Sequence, residues 1–239
     1  MTSRRTTVVM GGGPDPSLLE YALGFARGRR VLVDGTATPS DAGPPLDLAA
    51  ELTPLSFWPW PPPDLRELAL SHDAILVRGG NTANMLAVWR VHGFDRILRE
   101  AWESGVVLCG WSAGMICWFE AGVTDSFGPQ LEGLRDGLGF LPGSACPHYD
   151  GEERRRPVYR RLVADGFPPG LALDDVAAAR FDGTELVEVV ASAPSARGYR
   201  VETAGETALE TRLLDAYGGR SASEAGSPSS VGEGGPARS

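Results

Sequence analysis

Cysteine is scarce in this chain, and the few cysteines present form no recognisable pattern. The sequence has 239 residues and contains only Cys109, Cys117 and Cys146. An odd number of cysteines without regular spacing argues against the disulfide framework that small secreted domains use. We therefore expect reduced thiols and a cytoplasmic protein.

Long apolar runs are also missing. No stretch approaches the roughly 18 apolar residues that a transmembrane helix needs. The first residues include Arg4 and Arg5, but the short apolar stretch that follows leads directly into glycines 11–13, so the apolar core of a signal peptide is absent. These absences predict a soluble protein with no membrane partner.

Positive charge is too low for a typical nucleic-acid-binding protein. Arginine and lysine together number 22 against 31 aspartates and glutamates, which gives a formal net charge of −9. Binding to phosphate backbones normally requires a basic face. The basic cluster of Arg154, Arg155 and Arg156, with Arg160 and Arg161 behind it, is too short to change this conclusion, and we expect no nucleic-acid partner.

Short apolar segments alternate with helical patterns along most of the chain. Predicted strands cover residues 6–10, 30–34, 55–58, 74–77, 106–110, 170–173, 176–181, 185–191 and 199–202. Predicted helices cover residues 16–27, 64–71, 83–91, 94–104, 115–119 and 157–165. This alternation is typical of an α/β fold, and we predict a doubly wound, mostly parallel sheet with helices on both faces.

The composition also divides the chain. Residues 1–217 are predicted to form a single α/β domain, since a core of that size is easily buried. Residues 218–239 are mostly Gly, Ser, Ala, Glu and Pro. Such a segment buries too little apolar surface to offset the entropy of ordering it, so a disordered tail is predicted there.

The most informative motif surrounds a serine. Ser112 lies in Gly110-Trp111-Ser112-Ala113-Gly114, a G-x-S-x-G pattern between an apolar strand and a predicted helix. A serine on such a sharp turn needs small residues two positions before and after it, and its hydroxyl then projects from the carboxyl end of the sheet. A tight turn alone could explain the glycines, but the strand–turn–helix context favours a nucleophile.

A second glycine turn follows another apolar strand. Arg78-Gly79-Gly80-Asn81-Thr82 opens the next predicted helix. Glycines at the carboxyl end of a parallel strand let backbone N–H groups approach a ligand, so this turn could supply half of an oxyanion hole. Asn81 or Thr82 could equally serve as a helix cap, and the two roles are compatible.

Only three histidines can act as a general base. His72 lies directly before a strand and His92 at a helix end, where structural roles are common. His148 lies in the loop Cys146-Pro147-His148-Tyr149-Asp150, and loops of this kind often carry positioned catalytic groups. We therefore predict that His148 is the base.

The acid that would orient His148 has two candidates in the sequence. Glu120 lies about two helical turns beyond Ser112, roughly 12 Å in rise, and would reach the imidazole only if the helix ends early. Asp125 follows the break at Gly122 and has more freedom to return towards the site. Asp125 is favoured over Glu120 as the acid that holds the imidazole tautomer.

Taken together, these motifs resemble peptidase E, the aspartyl dipeptidase group of the S51 serine peptidases. The resemblance rests on four pieces in order: Gly79-Gly80-Asn81-Thr82, then Gly110-Trp111-Ser112-Ala113-Gly114, then Thr124-Asp125, then Pro147-His148. It implies a doubly wound α/β fold related to class I glutamine amidotransferases. It also implies cleavage of dipeptides with an N-terminal aspartate, without a metal or other cofactor. We expect a monomer or homodimer.

The resemblance also implies roles for individual residues. Ser112, His148 and Asp125 (or Glu120) would form a catalytic triad, and the backbone of Gly80 and Ala113 would bind the oxyanion. The remaining residues of the glycine turn, Gly79, Asn81 and Thr82, would contact the small peptide substrate. An arginine after the histidine would bind the substrate carboxylate, and Arg156 is our choice among its neighbours.

Two other functions remain open at this point. The same G-x-S-x-G pattern and the order Ser, Asp, His occur in α/β-hydrolase esterases, although few residues separate Ser112 from His148 here. A non-catalytic protein that binds small acidic ligands on the same fold is the other alternative. A thiol-dependent enzyme is less favoured, since Cys109 and Cys117 are expected to be buried and inert.

Overall fold

The computed structural model describes residues 5–38 and 45–215, and the elements below lie in that part of the chain. The strands are β1 (Thr6–Met10), β2 (Arg30–Asp34), β3 (Glu51–Leu55), β4 (Ala74–Val77), β5 (Val107–Trp111), β6 (Phe119–Thr124), β7 (Glu132–Leu134), β8 (Leu141–Cys146), β9 (Gly170–Leu173), β10 (Ala177–Asp182), β11 (Glu185–Ala191), β12 (Gly198–Glu202), β13 (Gly205–Ala208) and β14 (Thr211–Leu213). The helices are α1 (Pro16–Leu23), α2 (Leu65–Leu70), α3 (Thr82–His92), α4 (Phe94–Ser104), α5 (Ala113–Ile116) and α6 (Arg155–Ala164). No helix among the described residues is long and apolar enough to cross a membrane. The tail predicted at residues 218–239 lies outside the described residues.

Eight strands form the larger sheet, in the order β14-β11-β10-β1-β5-β4-β2-β3. The strands β1, β5, β4, β2 and β3 are parallel to one another, whereas β10 is antiparallel to both β1 and β11. Every residue of β1, β4 and β5 is buried, as expected for parallel strands that are covered on both faces. The loops that follow β1, β2, β4 and β5 therefore meet at the carboxyl edge of one sheet, where α/β proteins bind ligands.

Helices cover both faces of this sheet. On one face, α1 packs Leu18, Leu19 and Ala22 against side chains of the parallel strands. On the other face, α2, α3 and α4 bury a second set of apolar side chains, among which Trp89 and Phe94 are fully enclosed. The predicted α/β fold, with a mostly parallel sheet and helices on both faces, is confirmed.

Helix α3 begins directly at the glycine turn after β4. Its N-cap is Asn81, whose side-chain Oδ1 accepts a hydrogen bond from the backbone N–H of Asn84 at 2.9 Å. Its C-cap is Gly93, which has a φ of 69°, a left-handed conformation that favours glycine. Met85 and Trp89 are buried on the helix face that packs on the core, so the helix holds its first turn in place.

A second sheet lies beside the first and was not predicted. Its six strands have the order β13-β12-β9-β8-β6-β7, with β6, β8 and β9 parallel to one another. One face contributes Phe119 and Leu173 to the main core, and α6 covers the other face with Tyr159 and Val163. Sequence patterns missed β6, β7 and β8 because glycine and proline interrupt their short apolar segments.

Several predicted elements differ from the structure at their boundaries; the helix predicted at residues 16–27, for example, ends at Leu23. The strand expected at residues 55–58 lies earlier, at β3, and Phe57 beyond its end turns into the core. The helix expected at residues 115–119 ends at Ile116, and β6 begins at Phe119. This early end leads the chain from the first sheet into the second.

A buried acid lies where the chain returns from the second sheet to the first. Asp174 is 3% exposed, and its Oδ2 accepts a hydrogen bond from the backbone N–H of Arg197 at 2.8 Å. Its Oδ1 is buried without a hydrogen-bond partner among the described residues. Burial, reinforced by the nearby carboxylates of Asp150 and Asp175, raises the pKa of Asp174 to about 6.

The aromatic core predicts a large difference between two tryptophans. Trp89 is fully buried, with its ring centroid 5.8 Å from Phe94 and 6.2 Å from Trp118, whereas Trp60 is 80% exposed. Trp89→Ala should lower the free energy of unfolding by about 3–5 kcal/mol because it leaves a cavity. Trp60→Ala should change it by no more than about 0.5 kcal/mol. Urea denaturation followed by circular dichroism measures both, and equal effects would contradict this packing.

The raised pKa of Asp174 predicts a pH dependence of stability. Its contribution to the free energy of unfolding is fully present below the unfolded-state pKa of about 3.9 and is lost as the pH rises through the folded value of about 6. Asp174→Asn does not titrate, so the variant should gain stability relative to the wild type between pH 4 and pH 7. Urea denaturation of both proteins across this range measures the difference, and a constant difference would be the contrary result.

Candidate active site

Ser112 lies on a sharp turn between β5 and α5. Its backbone has φ 55° and ψ −111°, a conformation that non-glycine residues rarely adopt. Its carbonyl accepts hydrogen bonds from the N–H groups of Met115 and Ile116, at 2.9 and 3.0 Å, and so starts the helix. The side chain makes no capping hydrogen bond, which leaves the hydroxyl available for chemistry.

The glycines around Ser112 are required by the packing of this turn on β4. A Cβ atom on Gly110 would lie 2.4 Å from the carbonyl oxygen of Val77, and one on Gly114 would lie 2.1 Å from the same atom. A Cβ atom on Gly79 would lie 3.1 Å from the Cβ of Ser112. The glycine turn after β4 therefore lies directly against the serine, as the two motifs together predicted.

His148 follows β8 and lies close to the same edge of the larger sheet. Its backbone N–H donates to the carbonyl of Gly11 at 3.1 Å, and the N–H of Ser112 donates to the carbonyl of Met10 at 3.3 Å. Met10 and Gly11 are consecutive, and their Cα atoms are about 3.8 Å apart. The end of β1 thus anchors the backbones of both Ser112 and His148.

Backbone strain coincides at these two residues. Among the described residues, the non-glycine residues with positive φ are Ser112 and His148, both at 55°. Such conformations cost of order 1–3 kcal/mol each and cluster at functional sites. The two residues that the sequence selected as nucleophile and base are therefore also those whose backbones are held in an unfavourable conformation.

The carboxylate that contacts the imidazole belongs to Asp175. Nδ1 of His148 lies 2.6 Å from Oδ1 of Asp175. Because an ionised carboxylate only accepts hydrogen bonds, Nδ1 carries the hydrogen and Nε2 is left as the proton acceptor. The backbone N–H of Asp175 in turn donates to Oδ1 of Asp150 at 2.9 Å. A Cβ atom on Gly151 would lie 1.9 Å from Oδ2 of Asp175, so the glycine lets the chain approach this carboxylate.

The structure pairs His148 with Asp175, whereas the sequence had predicted Asp125 or Glu120 as the acid. The N–H of Tyr149 donates to the carbonyl of Leu173 at 3.0 Å, which ties the histidine loop to the end of β9, where Asp175 follows. Asp125 lies in the exposed turn after β6 instead. Oε2 of Glu120 accepts from the N–H of Gly143 at 2.8 Å, near the far end of β6.

The residues expected to bind the oxyanion and the substrate differ in what they contact. Ala113 is the first residue of α5, so its N–H has no acceptor within the helix. Gly80 has a φ of 141° and lies so close to Ala37 that a Cβ would be 2.2 Å from the carbonyl oxygen of Ala37. The side-chain amide of Asn81 donates to the carbonyl of Ser126 at 2.9 Å, and Thr82 is buried. Asn81 and Thr82 therefore support the loop.

The arginine expected to bind a substrate carboxylate is already engaged. Both Nε and Nη2 of Arg156 donate to Oε1 of Glu206, the former at 2.9 Å. Its guanidinium also lies 5.2 Å from the ring centroid of Tyr149 and 4.9 Å from that of Tyr199. Arg155 is buried and donates to Glu152 and to the carbonyl of Val123. Both arginines therefore hold the second sheet and its helix together.

The other two histidines and the three cysteines make contacts that are typical of structural residues. Nδ1 of His72 lies 2.6 Å from the carbonyl of Leu68, and His92 packs its ring 5.1 Å from that of Phe57. All three thiols are free and buried, and burial raises the pKa of both Cys109 and Cys146 to about 12. Among the described residues, no group of three or more His, Cys, Asp or Glu side chains could hold a metal ion.

Known sequences that are similar to this chain are peptidases, and the family model that matches it is that of a peptidase family. The model of peptidase family S51 matches residues 46–189. The uncharacterized peptidase YgaJ of Bacillus subtilis (strain 168) is 49% identical over 164 residues, which cover 68% of this chain and 70% of that protein. Peptidase E of Shewanella denitrificans is 28% identical over 149 residues, which cover 59% of this chain and 62% of that protein.

Solved structures share the fold. A peptidase E protein from Listeria monocytogenes EGD-e superposes with a TM-score of 0.55 over 77% of this chain and 98% of its own, at 16% identity. A peptidase from an acI-B1 Actinobacterium superposes with a TM-score of 0.58 over 86% of this chain and 94% of its own, at 17% identity. Because the family model also matches more than half of the chain, this protein belongs to peptidase family S51 and is a peptidase.

Proposed function

We propose that the protein is a serine peptidase whose catalytic triad is Ser112, His148 and Asp175. The observation that carries the proposal is the shared anchoring of Ser112 and His148 at the end of β1, with the imidazole already paired to Asp175 at 2.6 Å. A nucleophile, a base within the same loop cluster and an acid that fixes the base are the parts that acyl transfer requires.

In the proposed mechanism, Ser112 Oγ forms a bond to the carbonyl carbon of the scissile peptide while its proton moves to Nε2 of His148. The C–N bond of the tetrahedral intermediate then breaks, and His148 gives the proton to the leaving amine. Water attacks the acyl-enzyme, His148 accepts its proton, and the proton returns to Ser112 as the ester bond breaks. Asp175 stays ionised throughout and stabilises the imidazolium.

The developing oxyanion would be bound by the backbone N–H groups of Ala113 and Gly80. Ala113 follows the nucleophile directly, and Gly80 belongs to the turn whose Gly79 lies against Ser112. One such donor is worth about 3 kcal/mol of transition-state stabilisation. Neither this step nor the proton transfers call for a metal or another cofactor.

We propose short peptides as the substrates, and the resemblance to peptidase E makes dipeptides with an N-terminal aspartate the first to test. That preference rests on the resemblance alone, since the guanidinium of Arg156 is held by Glu206. The acidic net charge supports a protein without a nucleic-acid partner, and three unpaired cysteines support a cytoplasmic location. A monomer or homodimer is proposed, since each chain carries all three triad residues.

Removal of the nucleophile tests the proposal. Ser112→Ala should lower kcat for hydrolysis of Asp-Leu, Ala-Leu and Phe-Leu by about 10⁶-fold, because no covalent intermediate can form. Release of free leucine measures the rate. Ser71→Ala, at an exposed serine that ends α2, is the matched control and should retain wild-type activity. Wild-type rates from Ser112→Ala would remove Ser112 from the mechanism.

A comparison of three carboxylates tests the proposed role of Asp175 as the triad acid. Asp175→Asn keeps the shape of the side chain but removes the charge that orients His148, and kcat should fall by about 10⁴-fold. Asp125→Asn and Glu120→Gln should retain kcat within tenfold of the wild type, which is about one quarter of that change in activation free energy. The assignment fails if Asp125→Asn or Glu120→Gln loses activity while Asp175→Asn keeps it.

A further inference from the structure

An open cavity lies beside the glycine turn of the candidate active site. We call it the Trp58 pocket, and its volume is about 570 Å³. The side chains that matter to its chemistry are Thr36, Thr38, Trp58, Asn81, Asn84 and Val88. The pocket is thus formed by the loops after β2, β3 and β4 together with the first two turns of α3.

The pocket is connected to the nucleophile through the backbone. The N–H of Asn81 donates to the carbonyl of Ala37 at 2.8 Å, which joins the loop after β2 to the loop after β4. Gly80 lies against Ala37 on one side, and Gly79 lies against Ser112 on the other. The wall of the pocket therefore begins within two residues of the backbone that contacts the serine.

Trp58 is held at the pocket although it is 63% exposed. Its neighbour Phe57 is buried and packs edge-on against Phe94, with ring centroids 5.7 Å apart. The hydroxyl of Ser56 accepts from the N–H of Trp58 at 3.0 Å, and the prolines that follow restrict the backbone further. These contacts fix the backbone at Trp58, and its largely exposed indole offers apolar surface on which a ligand can pack.

The described residues that line the pocket include no ionisable side chain. Indole, methyl and isopropyl groups offer apolar contact, and the threonine and asparagine side chains are neutral. Such a lining favours an uncharged side chain, because an ionised one would lose hydration without gaining a partner. An aromatic or large aliphatic side chain fits both the chemistry and the volume.

The position of the pocket in the sheet indicates which part of the substrate would enter it. Ser112 follows β5, and His148 is anchored at the end of β1, on one side of β5. The pocket lies on the other side, over β4, β2 and β3. Since the leaving amine must lie near His148 to receive its proton, the acyl residue points away from His148 and towards the pocket.

We propose that the Trp58 pocket binds the side chain of the substrate residue whose carbonyl Ser112 attacks, and that it selects large neutral side chains. The inference rests on the proposed peptidase function and adds a substrate class to it: short peptides with Phe, Leu or a similar residue on the acyl side. It also implies that an aspartate at that position gains nothing from this pocket.

Binding to an inactive enzyme tests the pocket separately from catalysis. In a Ser112→Ala background, calorimetry should give a Kd for Phe-Leu at least about tenfold lower than for Ala-Leu or Asp-Leu, as expected for a filled apolar pocket. Adding Trp58→Ala should abolish that difference. Adding Trp60→Ala, which alters an exposed tryptophan in the same segment but outside the pocket, should preserve it.

A positive charge placed in the Trp58 pocket should shift the substrate preference in the opposite direction, towards an acidic side chain. Asn84 is exposed on the first turn of α3, so Asn84→Arg is tolerated by the fold and places a cation at the pocket. It should raise kcat/KM for Asp-Leu relative to Phe-Leu by about tenfold. A merely structural effect of the substitution would lower both values together.

The outcomes separate the two proposals. Peptide hydrolysis that depends on Ser112, combined with equal binding of Phe-Leu and Ala-Leu, would overturn the pocket and leave the peptidase mechanism intact. Tightest binding of Asp-Leu, unaffected by Trp58→Ala, would also overturn it, as would the absence of measurable binding by any of the three dipeptides. Selective binding of Phe-Leu without hydrolysis by the wild type would support the pocket and refute the mechanism.

Discussion

The close packing of the β5–α5 turn against the carbonyl of Val77 is the constraint on which the candidate active site depends. Gly110 and Gly114 approach this oxygen so closely that a Cβ atom on either residue would clash with it. The chain must therefore reverse sharply at Ser112, which takes a φ of 55°. The close packing of the two glycines and the strained backbone of Ser112 thus place the serine at the carboxyl edge of the sheet. The loops that carry the other functional groups meet at the same edge.

The second half of the site comes from the other sheet. His148 follows β8 and Asp175 follows β9, two neighbouring parallel strands whose carboxyl ends lie together. The end of β1 joins this pair to the serine through its last carbonyl groups. The buried Asp174 directly precedes Asp175 at the same junction. The segment that positions Asp175 therefore also contains a buried carboxyl group with one oxygen that lacks a hydrogen-bond partner among the described residues.

Sequence patterns were sufficient for the parts of this arrangement that depend on local residues. The central parallel strands β4 and β5 of the first sheet are short, fully buried and largely apolar segments, and β1, β2, β4 and β9 begin and end where they were predicted. The serine turn, the glycine turn and His148 were recognised because each combines a strand end with a distinctive residue. These features depend on neighbours in the sequence, so they can be inferred without coordinates.

The acid and the second sheet could not be inferred in the same way. The strand β9 was predicted, and Asp174-Asp175 directly after it was a signal that carboxylates lie at a strand end. Choosing Asp175 over Asp125 required the knowledge that β8 has β6 on one side and β9 on the other. The engagement of Arg156 by Glu206 likewise depends on a contact between α6 and β13, which are distant in sequence.

Covalent labelling with a fluorophosphonate probe tests the central claim most directly, because it requires an activated serine and no knowledge of the substrate. Peptide mapping should find the modification on Ser112, and Asp175→Asn should slow it strongly while Asp125→Asn leaves it unchanged. An unlabelled Ser112 in folded protein, or a modification at another serine, would contradict the account.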